Sequence, residues 1–172
     1  TTSNVPDMPL EEFLGVLDKI RPTVEPRETL IVVTGGEPLV RQDLATCGAA
    51  FRDRGFPWGM VTNGWAMSEE RWISLVDAGL KSLTVSLDGL EETHDDFRRR
   101  KGSWQRAVRT LVFAAATSNL TFDAMTSVTP RSLAELPRIR EMLVELGVKN
   151  WRLDMIFPKG RAAQNPHLFL SD

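Results

Sequence analysis

Four short stretches carry most of the residues that could do chemistry: Gly35-Gly36-Glu37-Pro38, Thr62-Asn63-Gly64, Ser86-Leu87-Asp88-Gly89 and Phe157-Pro158-Lys159-Gly160. The first lacks the spaced glycines and the lysine of a nucleotide-phosphate cradle, and it places an acid where phosphate would be repelled. Its physics favours a cationic guest. Two glycines let backbone carbonyls approach a ligand closely. Glu37 adds a carboxylate, and Pro38 removes a donor and stiffens the turn. Together they offer acceptors for a primary ammonium, although Glu37 could equally cap the next helix or pair with Arg41.

The other stretches complement it. Ser86 and Asp88 stand two apart, so in extended chain both face one side. A hydroxyl beside a carboxylate suits sugar hydroxyls or a ligand's polar head, while Asp88-Gly89 alone would also fit an Asx-turn. Asn63 can donate to a ligand carboxylate or hold a left-handed turn. Arg98 can meet a carboxylate or end a solvated helix. His94 reads as a helix-start residue, and Asp154, among apolar neighbours, as a ligand- or substrate-side acid. Trp65 and Trp104 are candidates for a site's mouth; the remaining tryptophans read as packing residues.

The elements that must position these residues alternate in kind. Short apolar runs at 29–34, 58–62, 82–87, 120–128 and 150–156 predict strands. Helical spacing predicts helices over 8–20, 41–54, 68–79, 103–117 and 132–146, with Ser68 as an N-cap and Gly79 and Gly147 as stops. A helix between each pair of near-continuously apolar strands implies βαβ crossovers and a parallel sheet, open or rolled into a barrel. All four polar stretches then fall at C-terminal strand tips, the edge where parallel α/β folds place their ligands.

Composition excludes other classes. The chain has 172 residues and a formal net charge of −2, ordinary for one soluble domain and without the basic excess of a nucleic-acid binder. No apolar run is long enough to span a bilayer, and no leader pattern opens the sequence, so a cytoplasmic location is the expectation. The single cysteine, Cys47, cannot form an internal disulfide or hold a metal cluster alone. It sits on an expected helix and reads as a small buried apolar residue.

In order and spacing these motifs resemble the radical S-adenosylmethionine (SAM) enzymes. TGGEPL at 34–39 resembles the family's motif for the SAM amino group, and VTNG at 61–64 looks like the next strand tip. VSLDG at 85–89 with THDDFR at 93–98 is similar to the ribose-binding strand and its sequel, and GSWQRAVRTL at 102–111 to the helix after it. FPKGRA at 157–162 resembles the strand exit of members that modify peptides or build heme and molybdenum cofactors. The resemblance covers nearly the whole chain. It implies an α/β fold, a partial (β/α) barrel of TIM-barrel type without its first strand, in one core domain over 1–172. It also implies SAM and a [4Fe-4S] cluster as cofactors, an electron donor, a peptide or small-molecule substrate, and neither nucleic acid nor membrane as partner. The implied SAM contacts are Gly35, Gly36 and Glu37 for the ammonium, Asn63, Ser86 and Asp88 for the sugar and polar head, and Arg98 for the carboxylate. The radical made from SAM would abstract hydrogen from the substrate.

The departure is the absent Cys-x3-Cys-x2-Cys loop that holds the family's cluster. The expectation is therefore an excised fragment, inactive by itself, whose parent carries those cysteines upstream. Two other readings remain: a non-catalytic α/β barrel with a small-molecule or peptide-binding mouth, and a sugar- or phosphate-processing barrel.

Overall fold

The structure is a computed structural model and describes residues 7–170. Its helices are α1 (Leu10–Ile20), α2 (Leu44–Asp53), α3 (Glu69–Asp77), α4 (Glu91–Arg98), α5 (Ser103–Ala115), α6 (Pro130–Leu133) and α7 (Leu136–Glu145). Five strands, β1 (Ile31–Val33), β2 (Trp58–Thr62), β3 (Leu80–Ser86), β4 (Thr121–Val128) and β5 (Asn150–Met155), form one sheet in the order β1-β2-β3-β4-β5. The sheet is parallel, with Ile31 opposite Trp58 at one end and Asp123 opposite Asn150 at the other. Each strand lies beside its predecessor. A doubly wound fold would reverse direction partway, so this is barrel-type order. The α/β expectation holds.

By its contacts the chain divides into two compact units. The first takes the described residues up to Thr62, with Ala66–Leu83 and Asn119–Thr121. Its core forms where α2 meets β2 and α3. Trp58 is fully buried, and its Nε1 donates to the Ala78 carbonyl at 3.1 Å. A Cβ on Gly48 would lie 2.2 Å from the Trp58 ring, so only glycine lets α2 seat against the indole. Phe51, Phe56, Met60 and Leu75 complete this core. Ser68 caps α3 by accepting from the Arg71 amide at 3.1 Å, as its position in the sequence predicts. Gly79 closes the helix at φ +90°.

The second unit takes Asn63–Trp65, Thr84–Ser118 and the described residues from Phe122 onward. Here α4 packs on α5, and Asp95 joins the two. Its carboxylate accepts from the Gly102 amide, the Ser103 hydroxyl at 2.9 Å and the Trp104 amide at 2.8 Å. These donors hold the Asp95 carboxyl below the usual range despite the opposing cost of burial. Val85, Leu87, Ala107, Leu111, Ala124 and Ile139 are fully buried.

Three boundaries depart from expectation. β1 has three residues, because Gly35 leaves extended geometry and Pro38 opens a 3₁₀ turn over Pro38–Val40. The helix expected from 41 starts at Leu44. The helix expected over 132–146 is two helices, α6 and α7. Glu135 lies between them and accepts from the Leu90 amide at 2.8 Å and the Thr93 hydroxyl at 2.6 Å.

Candidate functional site

In the first unit the site begins where β1 ends. Gly35 takes φ +133°, a backbone conformation closed to side-chain-bearing residues, and both Gly35 and Gly36 have open space where a Cβ would stand. The chain is thus bare at this turn. Glu37 is fixed beside it. Its Oε1 accepts from the Leu39 amide at 3.0 Å, capping the 3₁₀ turn, and from the Thr62 hydroxyl at 2.6 Å at the tip of β2. Of the two local roles open to Glu37 in the sequence, the cap is the one adopted. Arg41 instead binds Asp43 at 2.7 Å and the Met8 carbonyl at 2.8 Å. Thr34, Gly35, Gly36 and Glu37 line a cavity of about 850 Å³ whose other walls are largely apolar, among them Met8, Phe13, Val33 and Leu44. A backbone turn without side chains and one fixed carboxylate at an apolar cavity suit an ammonium attached to an apolar body.

Cys47 also lines this cavity but is buried at 4% exposure, with its Sγ 3.8 Å from Asp43 Oδ2. Burial pushes its thiol up, so it stays protonated and inert at neutral pH.

In the second unit the site is built on the tip of β3 and on α4. Ser86 is buried at 6% exposure, and Asp88 is buried more completely, its side chain without exposed surface. The Asp88 carboxylate accepts from Arg98 Nε at 2.6 Å and from the Ser127 amide at 3.0 Å. Both oxygens are therefore occupied by protein. The Asp88 side chain has no exposed surface, whereas its partner Arg98 is 30% exposed. Ser127 is 39 residues away, so the sequence does not reveal this partner.

His94 lies in the first turn of α4, fully buried, and its Nδ1 accepts the Asp88 amide hydrogen at 3.0 Å. That bond requires a neutral ring with its proton on Nε2, which has no partner among the described residues. Burial agrees, pulling the His94 pKa down to about 4 against the opposing charge of Asp88. The 3.7 Å approach of His94 to the Asp88 carboxylate is therefore no ion pair at neutral pH. Neither the backbone bond of His94 nor the Ser127 bond of Asp88 has a signal in the sequence beyond the short spacing of His94 from Asp88.

Asn63 accepts the Trp65 amide hydrogen at 2.8 Å, an Asx-turn that sets the loop after β2. Gly64 follows at φ +71°, where a Cβ would meet the Thr110 hydroxyl at 2.7 Å. Trp65 carries the Arg100 guanidinium over its ring at 3.5 Å.

The residues thus fall into two groups, Gly35, Gly36 and Glu37 in one unit and Asn63, Ser86, Asp88 and Arg98 in the other. Among them the structure bonds Asp88 to Arg98 directly. The first group fits the ammonium end of SAM, and Arg98 fits a carboxylate. An iron–sulfur cluster does not fit. No group of three or more His, Cys, Asp or Glu side chains among the described residues could hold a metal, and the whole sequence has one cysteine.

The chain is similar to characterised proteins over its full length. AdoMet-dependent heme synthase of Methanosarcina barkeri is 29% identical over 175 residues, covering 100% of this chain and 49% of the relative. Fe-coproporphyrin III synthase of the same organism is 30% identical over 139 residues, covering 81% of this chain and 34% of the relative. The chain thus spans at most about half of these relatives. Streptococcus suis SuiB, solved bound to its precursor peptide SuiA, superposes with a TM-score of 0.76 at 12% identity, over 90% of this chain and 34% of that one. At that identity the likeness is one of fold. The model of the radical SAM superfamily matches residues 1–143. With GGEP bare and fixed at the first strand tip and Asp88 clamping Arg98 beyond the third, this match settles the family: the chain belongs to the radical SAM superfamily.

Proposed function

We propose that the chain is the SAM-holding part of an enzyme that modifies a peptide or a cofactor precursor of tetrapyrrole type by hydrogen abstraction. The observation that carries this is the turn after β1, with left-handed Gly35, open space at Gly35 and Gly36, and Glu37 fixed by Leu39 and Thr62. Backbone carbonyls there and the Glu37 carboxylate receive the SAM ammonium. Arg98, aimed by the buried Asp88, receives the SAM carboxylate. Asn63 and Ser86 serve the sugar and polar head. SAM held there would supply hydrogen-abstraction chemistry on one-electron reduction by a separate donor, with methionine as the leaving group. The protein's own work is to orient SAM and exclude water. Cys47 alone cannot anchor the cluster that gives the electron. The names of the relatives, heme and Fe-coproporphyrin III synthases, and SuiB with its precursor peptide, favour the two substrate classes. The second reading, a non-catalytic barrel with a small-molecule or peptide-binding mouth, would be favoured by an intact parent without the cysteine triplet.

Calorimetric titration of the chain with SAM and with decarboxylated SAM tests the proposal. SAM should bind at least about tenfold more tightly, the worth of one charged hydrogen bond. Arg98→Met should erase that preference, and Glu37→Ala should weaken both ligands. Equal binding of the two ligands by the wild-type chain, or none, overturns the reading. In a protein that carries the cluster, SAM and dithionite should release 5′-deoxyadenosine, and a cluster-loaded protein that releases none favours the binding barrel.

A further inference from the structure

The superfamily match ends at residue 143, before β5 begins at Asn150. β5 therefore lies beyond the matched segment, while the alignment with the heme synthase continues across it. Met125 lies opposite Arg152 and Ser127 opposite Asp154. Opposed residues on adjacent strands share a face, as do residues two apart on one strand. Asp123, Met125 and Ser127 of β4 thus share one face with Arg152 and Asp154 of β5.

The bonds agree with that placement. Arg152 Nε donates to Asp123 at 2.6 Å, and its Nη2 reaches the Thr84 hydroxyl on β3 at 2.8 Å. One guanidinium is thereby fixed across three strands. It remains 53% exposed, and Nη1 has no protein partner among the described residues. The strand pair is already joined by its backbone ladder, so a tie of this kind adds little to the sheet. What it does is hold a donor fork still, with one end free, which is the geometry that recognises a carboxylate. Asp123 on one side and the exposed Asp154 on the other leave the face without a net positive field. Recognition there is by contact hydrogen bonds and not by long-range attraction. Asp154 disfavours a second anion about 7 Å along the strand.

We propose that this face of β3, β4 and β5 is the substrate floor and that Arg152 anchors a substrate carboxylate, with Asp154 limiting how many acidic groups bind there. The proposal rests on the radical SAM reading only for the identity of its occupant as substrate. The shared chemistry is a carboxylate, from the propionate of a tetrapyrrole or the acidic side chain of a peptide.

The test compares ligands that differ only in that group. The chain is titrated, by fluorescence, with coproporphyrin III and with its tetramethyl ester. In a second arm it is titrated with a capped hexapeptide holding one glutamate and with its glutamine counterpart. In at least one arm the acid should bind about tenfold more tightly than its neutral partner. Arg152→Gln should abolish that preference, Arg152→Lys should retain less than half of it on the free-energy scale, and Asp154→Asn should enlarge it for the porphyrin. The arm that responds names the source of the carboxylate. No preference in either arm, or a preference that survives Arg152→Gln, overturns the proposal. The lysine variant keeps the test decisive should the glutamine variant lose its near-ultraviolet circular dichroism. SAM is titrated into the wild-type chain alongside. A chain that prefers acids but ignores SAM upholds Arg152 and removes the SAM reading; the reverse removes Arg152 alone.

Discussion

Removing Asp88 should cost the fold more than any surface charge would, and the structure says how much. Asp88→Ala deletes the acceptor of the Ser127 amide and of Arg98 Nε together. An amide left without a partner costs about 1–3 kcal/mol, here toward the lower end because that bond is only part-buried. The charged bond would be worth about 1.5–3 kcal/mol, but Arg98 is 30% exposed and can turn to water, which reduces it to about 1 kcal/mol. The expected loss is therefore about 2 kcal/mol. Arg98→Ala strands a carboxylate with no exposed surface, and its loss should be similar. If the two act as a pair, the double variant should lose less than the sum, with a coupling of about 1–2 kcal/mol. Asp88→Asn should fall between, because its oxygen still serves Ser127 while its NH₂ opposes Arg98. Urea unfolding followed by circular dichroism on the two single variants and the double variant measures all of this. Additivity to within about 0.3 kcal/mol would refute the clamp, and with it the claim that Asp88 aims Arg98.

Other expectations follow from local geometry. Gly48→Ala drives a methyl into the Trp58 ring and should lower the melting temperature by several degrees, with intrinsic tryptophan emission shifting as the indole is displaced. Arg99 sits in left-handed geometry at φ +52°, so Arg99→Gly should stabilise by about 0.5–1 kcal/mol in the same urea assay. His94 binds its proton less readily when folded, with a pKa lowered from 6.5 to about 4. The unfolded chain then takes up more protons in that window, so stability should fall as pH drops from about 6.5 to 4, by up to roughly 3 kcal/mol. Comparing wild type with His94→Gln isolates this term from the carboxylates, which titrate in both; parallel pH profiles would refute it.

The sequence made the strand tips legible because apolar runs, glycines and acids alternate there on a scale of a few residues. Trp58–Thr62 and the Ser68 cap are local patterns and came out as expected. α4 as a separate helix was not legible in full. Its segment EETHDDFR has no apolar stripe to reveal a period, and the side chains it buries are Thr93 and His94. The break between α6 and α7 depends on Glu135 reaching back 45 residues to Leu90. The candidate site divides the same way. The identity of Glu37, Asp88 and Arg98 is in the motifs, while what fixes them, Thr62 for Glu37 and Ser127 for Asp88, is set by which strands lie side by side.

Asp95 has a consequence for how this chain can change. Its carboxylate takes its donors from Gly102, Ser103 and Trp104 and so skips Arg99, Arg100 and Lys101. The residues between close the turn through their backbone, the Arg100 amide donating to the Asp95 carbonyl at 2.9 Å and the Ser103 amide to the Arg100 carbonyl at 3.2 Å. An insertion between Arg99 and Lys101 would break those backbone bonds, whereas a change of the Lys101 side chain leaves them in place. The length of the joint is thus set by one carboxylate three residues before Arg98, which fixes how far α5 can begin from the end of α4.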